Sequence, residues 1–282
     1  MSAPVCPKGL RVFITGGASG LGRALAECFA EEGASVCIGD VDDAQGAQAA
    51  AALARHGWPV HSLHCDVTRE ADLQAAADWL QQQWGGVDVV VNNAGVAQMG
   101  GIADVSLTDW QWIVDINLLG VVRGCKAFTP VFRRQGGGCF LNIASMAGMI
   151  HLPEAAAYNA TKAAVVALSE TLQLELERDA IRVAVACPAF FRSDLARHMR
   201  AATPDAERTT QRLVERARVG AEEVARRIHD GLKKGQAHIL THPEGRTAWR
   251  LKRWLPYGWY LATLRRRMAQ LQLRMQRPER AA

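Results

Sequence analysis

Short apolar runs alternate with longer amphipathic stretches along most of this chain. The first run, residues 10–15, leads into a glycine-rich turn at 16–22 and then into helix-forming residues 23–32, with Gly33 as a stop. A second run, 35–39, ends at Asp40. The alternation continues through a helical stretch at 43–56, a run at 60–65, a helix at 69–83 and a run at 88–92. Beyond these come a long helix at 110–134, a run at 139–143, a helix at 155–178, a run at 182–186, a helix at 221–233 and a last run at 237–240. Short apolar runs between helices of about 10–20 residues are the pattern of βαβ units. It predicts an α/β fold with right-handed crossovers and a buried, doubly wound parallel sheet of about seven strands.

Composition narrows the class. At 282 residues, 49% of them hydrophobic, the chain is long enough for one large domain with its own core. Seven cysteines (Cys6, Cys28, Cys37, Cys65, Cys125, Cys139 and Cys187) are scattered without CxxC pairs or His-Cys clusters, several of them inside apolar runs. This argues against a metal site and a disulfide framework, and the expected setting is a reducing one, the cytoplasm. Residues 1–8 hold no apolar core of a signal peptide, and no run of about 18 apolar residues is available to span a membrane. The net charge of +5 conceals an asymmetry: residues 246–282 carry ten Lys/Arg against Glu279 alone, a formal +9 on side chains, which leaves −4 on residues 1–245. A mildly acidic body with a basic tail argues against a nucleic-acid-binding surface. It divides the chain into a domain at 1–245 and a C-terminal arm at 246–282.

The residues suited to chemistry fall at element ends. Gly16, Gly20 and Gly22 lie between the first run and the first helix. Glycine there permits a tight turn and lets a pyrophosphate approach backbone N–H groups at a helix N-terminus. Asp40, 24 positions after Gly16, is either a turn-closing aspartate or an acceptor for ribose hydroxyls that repels a 2′-phosphate. With the glycine turn present the second reading is preferred, so NAD is expected over NADP, with Arg23 as the counter-indication because it could reach a phosphate. Tyr158 and Lys162 are four positions apart and share a helix face. A neighbouring ammonium stabilises a phenolate. Moving the phenol from about 10 to about 7 takes about 4 kcal/mol, divided among Lys162, a cationic cofactor ring and hydrogen bonds. A tyrosine so tuned is a general acid/base for an alcohol oxygen. Ser145 follows the run at 139–143, where a hydroxyl at a strand's C-terminal end can bond a substrate oxygen.

The spacing GxxxGxG, followed in order by Asn92-Asn93-Ala94-Gly95, Asn117, Ser145, Tyr158 and Lys162, resembles the short-chain dehydrogenase/reductase family over roughly residues 9–240. The resemblance implies a nicotinamide-binding Rossmann-type domain that carries its own active site. Its implied reaction is reversible hydride transfer between the nicotinamide and an alcohol or carbonyl carbon. It implies a catalytic set of Asn117, Ser145, Tyr158 and Lys162, in which Lys162 lowers the tyrosine pKa and holds the nicotinamide ribose. Asn117 would support a water linking the lysine to solvent, or else make local backbone bonds as a buried helix asparagine. The implied cofactor set is Gly16, Ser19, Gly20, Leu21 and Gly22 at the turn, Asp40 at the ribose, and Asp66 and Val67 beside the adenine. It continues through Asn93, Ala94 and Gly95, Tyr158 and Lys162, and then Pro188, Phe191 and Ser193 around the nicotinamide. Segment 188–193 departs from the family's Pro-Gly-x-x-x-Thr at Ala189 and Ser193: serine keeps the hydroxyl, and alanine requires that position 189 tolerate a β-carbon. Other readings are an NADPH-dependent keto or acyl reductase, and a nucleotide-sensing binding protein without turnover.

The segments expected around the nicotinamide, 96–99, 146–152 and 190–191, are apolar, which points to a lipophilic alcohol or ketone. Gln98 and His151 are the polar residues there, placed either to orient a substrate or to face solvent. The arm holds Trp249, Trp254, Trp259, Tyr257 and Tyr260. After Pro256, Tyr257, Leu261, Leu264, Met268, Leu271 and Met275 recur at spacings of four and three, one stripe on a helix with Arg265, Arg266 and Arg267 mostly off it. Such a helix either lies on a membrane surface or docks on its own domain or a sister subunit, and a homo-oligomer is expected.

Overall fold

The computed structural model describes residues 9–193, 195 and 199–276, with side chains described up to 266. Cys6, Glu279 and the side chains of Arg267, Met268, Leu271 and Met275 lie outside the described residues. The chain divides into two compact units, Met1–Thr241 and His242–Ala282.

In the first unit the elements follow the predicted alternation. They are β1 (Arg11–Thr15), α1 (Gly20–Glu31), β2 (Ser35–Asp40), α2 (Asp43–Ala54), β3 (Val60–His64), α3 (Glu70–Trp84) and β4 (Val89–Asn92). Then come β5 (Gln98–Met99), α4 (Leu107–Val114), a π-helical turn (Asp115–Leu119), α5 (Gly120–Gln135), β6 (Gly138–Ile143) and α6 (Ala156–Glu175). The unit closes with β7 (Ile181–Ala186), β8 (Arg200–Ala201), α7 (Pro204–Glu215), α8 (Ala221–Lys233) and β9 (His238–Ile239). Seven strands form one sheet in the order β3-β2-β1-β4-β6-β7-β9, and every pair in it is parallel. This is a doubly wound Rossmann-type α/β fold. The strand order reverses between β1 and β4, which opens a crevice at the C-terminal ends of those strands.

Strand side chains alternate between the two faces. Val12 and Ile14 of β1 join Leu25 and Phe29 of α1 and Val224, Ile228 and Leu232 of α8 in one buried cluster. Phe13 points the other way, its ring centroid 5.2 Å from that of Phe128 in α5, while Phe132 of α5 lies 4.8 Å from Phe140 of β6. With both faces covered, the central strands β1, β4, β6 and β7 are buried at nearly every position, which is why their runs stood out in the sequence, whereas the edge strand β3, VHSLH, is largely half-buried or exposed. The six described cysteines are all buried, and none of them is joined in a disulfide.

Two features depart from the sequence reading. The helix expected at 110–134 is α4 and α5 joined through the π turn rather than one α-helix. Residues 98–99 and 200–201 form a separate two-stranded parallel pair, with α7 just beyond it, and neither was anticipated. In the second unit, α9 (Pro243–Trp254) and α10 (Tyr257–Gln276) meet at Leu255 and Pro256. Leu255 is extended, as expected before a proline. Residue 246, where the charge changes, falls inside α9. Among the described residues no helix is long and apolar enough to cross a membrane.

Candidate active site

β1 runs into a turn with Gly16 at φ +62° and Gly20 at φ +50°, and α1 starts from it. A Cβ on Gly16 would come within 2.9 Å of Ala94 Cα, and one on Gly22 would collide with the Gly16 carbonyl oxygen. The turn, α1 and the loop after β4 therefore converge where only backbone fits. Thr15 Oγ1 accepts hydrogen bonds from the backbone N–H groups of Asn93 and Ala94 at 3.0 and 3.1 Å. Asn93 Nδ2 donates to the carbonyls of Thr15 and Gly16, both at 2.9 Å. Asp40, at the end of β2, braces the same turn: Oδ2 accepts from Ala18 N at 3.0 Å and Oδ1 from Asp42 N at 3.1 Å. Each carboxylate oxygen keeps a lone pair for a ligand hydroxyl. Asp66 accepts from the N–H and hydroxyl of Thr68 at 2.9 and 2.8 Å, and Arg123 donates to the Val67 carbonyl at 3.1 Å.

Ser145 follows β6. Its hydroxyl donates to the Pro188 carbonyl at 3.3 Å and accepts from Ala147 N at 3.1 Å. Tyr158 and Lys162 stand on the first two turns of α6, which rests on the 3-10 turn Met146–Gly148. Lys162 is buried. Its Nζ donates to the Ile143 carbonyl at 3.0 Å and lies 5.8 Å from the Tyr158 ring centroid. A Cβ on Gly95 would sit 3.2 Å from Asn117 Oδ1 and 3.3 Å from Lys162 Nζ, so the asparagine and the lysine approach one another across a bare backbone. Asn117 is fully buried in the π turn, where its amide brackets Val96: Oδ1 accepts from Val96 N and Nδ2 donates to Val96 O, both at 2.8 Å.

Burial dominates the electrostatics of this cluster. It pulls Lys162 from an ordinary 10.5 down to about 8, against the opposing effect of nearby Cys187. It also raises the Tyr158 phenol above its ordinary 10, while hydrogen bonding with Ser145 pulls the value back. The sequence reading expected Lys162, a cationic cofactor ring and hydrogen bonds together to bring the phenol down; in the protein without that ring, desolvation moves it up and Ser145 opposes the rise. A phenol, a hydroxyl and a buried ammonium at one strand end can together hold an oxygen and exchange a proton with it.

The cavity above these groups has a volume of about 620 Å3 and runs from Asp40 and Asp66 at one end to Tyr158, Lys162 and Ser193 at the other. All the residues expected at a cofactor line it: Gly16, Ser19, Gly20, Leu21, Gly22, Asp40, Asp66, Val67, Asn93, Ala94, Gly95, Tyr158, Lys162, Pro188, Phe191 and Ser193. Its glycine floor, the N-terminus of α1 and the carboxylate at the end of β2 fit a dinucleotide. A sequence model of the short chain dehydrogenase family matches residues 11–204, well over half of the chain. The chain belongs to the short-chain dehydrogenase family.

Its relatives include a 3-alpha-(or 20-beta)-hydroxysteroid dehydrogenase of Mycobacterium bovis, 39% identical over 170 residues, or 60% of this chain and 64% of that protein. The match thus spans less than two thirds of that relative's length. Cyclopentanol dehydrogenase of Comamonas testosteroni is 36% identical over 61% of this chain and 69% of its own. A solved short-chain dehydrogenase/reductase from Burkholderia phymatum in complex with NAD superposes with a TM-score of 0.83 at 33% identity, covering 87% of this chain and 93% of that one.

Several residues that shape the site of this short-chain dehydrogenase were not foreseen. Thr15 ties the β4 loop to the glycine turn. Trp112 lines the cavity, with the Arg200 guanidinium 4.0 Å from its ring centroid and Arg200 held by Asp109 at 2.9 Å. Asp109 is lowered below the ordinary carboxylate range by Ser106 and Arg200. The i, i+3 spacing of Asp109 and Trp112 was available in the sequence; the pairing of either with Arg200 was not. Beneath the site, Asn92 Nδ2 donates to Asn142 Oδ1 at 2.8 Å and Asn142 Nδ2 to Ser169 Oγ at 3.0 Å, a buried polar bridge from β4 to α6. Asn117 and Ser145 are next in sequence to the lining residues Ile116 and Ala144 without lining the cavity themselves, and neither Gln98, which is buried, nor His151, which is exposed, is among its lining residues. The described non-glycine residues with left-handed backbone are Glu154 and Ala180, so Ala189 occupies a conformation open to alanine.

Proposed function

We propose that this short-chain dehydrogenase oxidises a lipophilic alcohol, or reduces the corresponding ketone, with NAD(H), and that Tyr158 is its general acid/base. The convergence of Ser145, Tyr158 and Lys162 at one end of a dinucleotide-sized groove carries this reading. Bound NAD(P) supplies the hydride acceptor or donor. NAD is preferred to NADP, because the Asp40 carboxylate beside the glycine turn accepts from ribose hydroxyls and repels a 2′-phosphate.

In oxidation, Tyr158 as phenolate removes the hydroxyl proton while the carbinol hydrogen departs with its electron pair; in reduction the phenol returns the proton to the new alkoxide. Ser145 bonds the reacting oxygen and holds it against Tyr158. With a pKa of about 8, Lys162 is charged at neutral pH, and its ammonium favours the phenolate that burial alone disfavours. Lys162 would also hold the cofactor ribose, and Asn117 holds the backbone of Val96 beside the lysine in place. Val96, Trp112, Ile116, Phe191 and Leu195 make the cavity wall largely apolar. Together with relatives named for hydroxysteroids and cyclopentanol, this supports a secondary ring alcohol as substrate.

The test is a screen of hydrophobic secondary alcohols, cyclopentanol and hydroxysteroids included, read as NADH formation, with Tyr158→Phe alongside. The wild type should turn over at least one ring alcohol. Tyr158→Phe should still bind NADH and lose on the order of 10²–10⁴ in rate. Near-normal turnover in that variant refutes the role given to Tyr158.

A further inference from the structure

We propose that the corner between α9 and α10 is a docking surface for an anionic lipid bilayer. Trp254 is 83% exposed, Trp259 72% and Tyr257 69%, three large aromatic side chains in water within six residues of one another. Isolated apolar side chains are ordinary on a protein surface, whereas two indoles and a phenol clustered at a helix corner are not. Their chemistry fits the headgroup boundary: an indole or phenol buries its ring and keeps its N–H or O–H in the polar layer.

The charge around the corner is of one sign. Arg250 and Arg253 on α9 and Arg265 and Arg266 on α10 are exposed. Between Arg246 and Arg266 there is no Asp or Glu. A protein partner would need an acidic, aromatic-accepting surface of matched shape. An anionic bilayer needs no shape match, and it rewards basic and aromatic residues together. Since no described helix can span a membrane, the contact is peripheral. It would hold the catalytic domain where lipophilic alcohols partition, although the docking itself stands or falls independently of the proposed dehydrogenase activity.

The test uses the full chain and sedimentation with vesicles of phosphatidylcholine alone or of phosphatidylcholine and phosphatidylserine in equal parts. Binding is expected only to the mixed vesicles, and it should fall steeply between about 0.1 and 1 M salt as the screening length drops from about 10 to about 3 Å. Arg265→Gln with Arg266→Gln should weaken it roughly 30-fold, about 2 kcal/mol at about 1 kcal/mol per basic residue. Trp254→Ala and Trp259→Ala should each weaken it on the order of tenfold. Circular dichroism and solution mass verify that the variants keep the wild-type fold. Absence of binding to the mixed vesicles overturns the proposal, as does binding insensitive to salt and to these substitutions. A drop in solution mass for the tryptophan variants without any vesicle binding would assign the corner to a second copy of the chain instead.

Discussion

Replacing Lys162 with methionine should stabilise the fold at neutral pH while abolishing turnover. Methionine has similar length and fills the same slot without a charge. The fall of the lysine from 10.5 to about 8 means that holding the ammonium in this buried position costs about 3 kcal/mol at pH 7, at about 1.4 kcal/mol per pKa unit. Against this, the variant loses the 3.0 Å bond from Nζ to the Ile143 carbonyl, and leaving that acceptor bare costs about 1–3 kcal/mol. The expected net gain is on the order of 1 kcal/mol at pH 7. Its pH dependence is the sharper signature. The folded lysine has the lower pKa, so between about 8 and 10.5 the unfolded chain binds more protons and the wild type gains stability as pH rises. The methionine variant has no such group. Its advantage should therefore shrink by about 1.4 kcal/mol per pH unit above about 8 and change sign near pH 9. Urea unfolding of both proteins at intervals from neutral to mildly alkaline pH reads this as a crossing of midpoints. A stability difference that stays constant across that range would refute the buried-ammonium account, and so would one that grows in favour of the variant.

Three further outcomes follow from the same geometry. Alcohol oxidation should accelerate as pH rises from neutral, because a phenol raised by burial is mostly protonated there, and reduction should slow; a flat oxidation profile with chemistry rate-limiting counts against a tyrosine base. Asp40→Ala should narrow or reverse the preference for NAD and weaken both cofactors, since it removes a ribose acceptor and the brace on Ala18 N; equal wild-type kcat/KM for NAD and NADP would show that Asp40 does not select. Gly22→Ala should abolish nucleotide binding, because its Cβ would collide with the Gly16 carbonyl oxygen; calorimetric titration showing wild-type NADH affinity would contradict the closeness of that turn.

The sheet was legible because central parallel strands covered on both faces are mostly apolar, and such runs recurring between helices mark βαβ units even where an edge strand such as β3 is more polar. The glycine turn, Asp40, Ser145, Tyr158 and Lys162 were legible because their chemistry depends on short local spacings. Residues that act across the fold were not. Thr15 reads as the last residue of a strand until Asn93 and Ala94 are seen to donate to it. Trp112 and Arg200 stack from segments far apart in sequence, and the strand that carries Arg200 is only two residues long, too short to show a period. The burial of Tyr158 and Lys162 was hidden for a related reason: the i+4 partner is visible in the sequence, whereas the depth at which both groups lie is set by the whole sheet.

The π turn at Asp115–Leu119 has a consequence for how this helix can vary. One extra residue within an α-helix advances everything after it by about 100°. Trp112 ahead of the turn and Ile116 within it line the cavity; downstream, Phe128 and Phe132 pack against Phe13 and Phe140 of the sheet. A regular helix could not satisfy both aspects with the same sequence, so the turn works as a phase shifter between a ligand-facing half and a core-facing half. The constraint here is arithmetic before it is chemical. Substitutions that keep the residue count leave both halves in phase, and a one-residue deletion inside the turn would restore regular winding with α5's phenylalanines still on the sheet but without the wide turn that sets Asn117 against Val96.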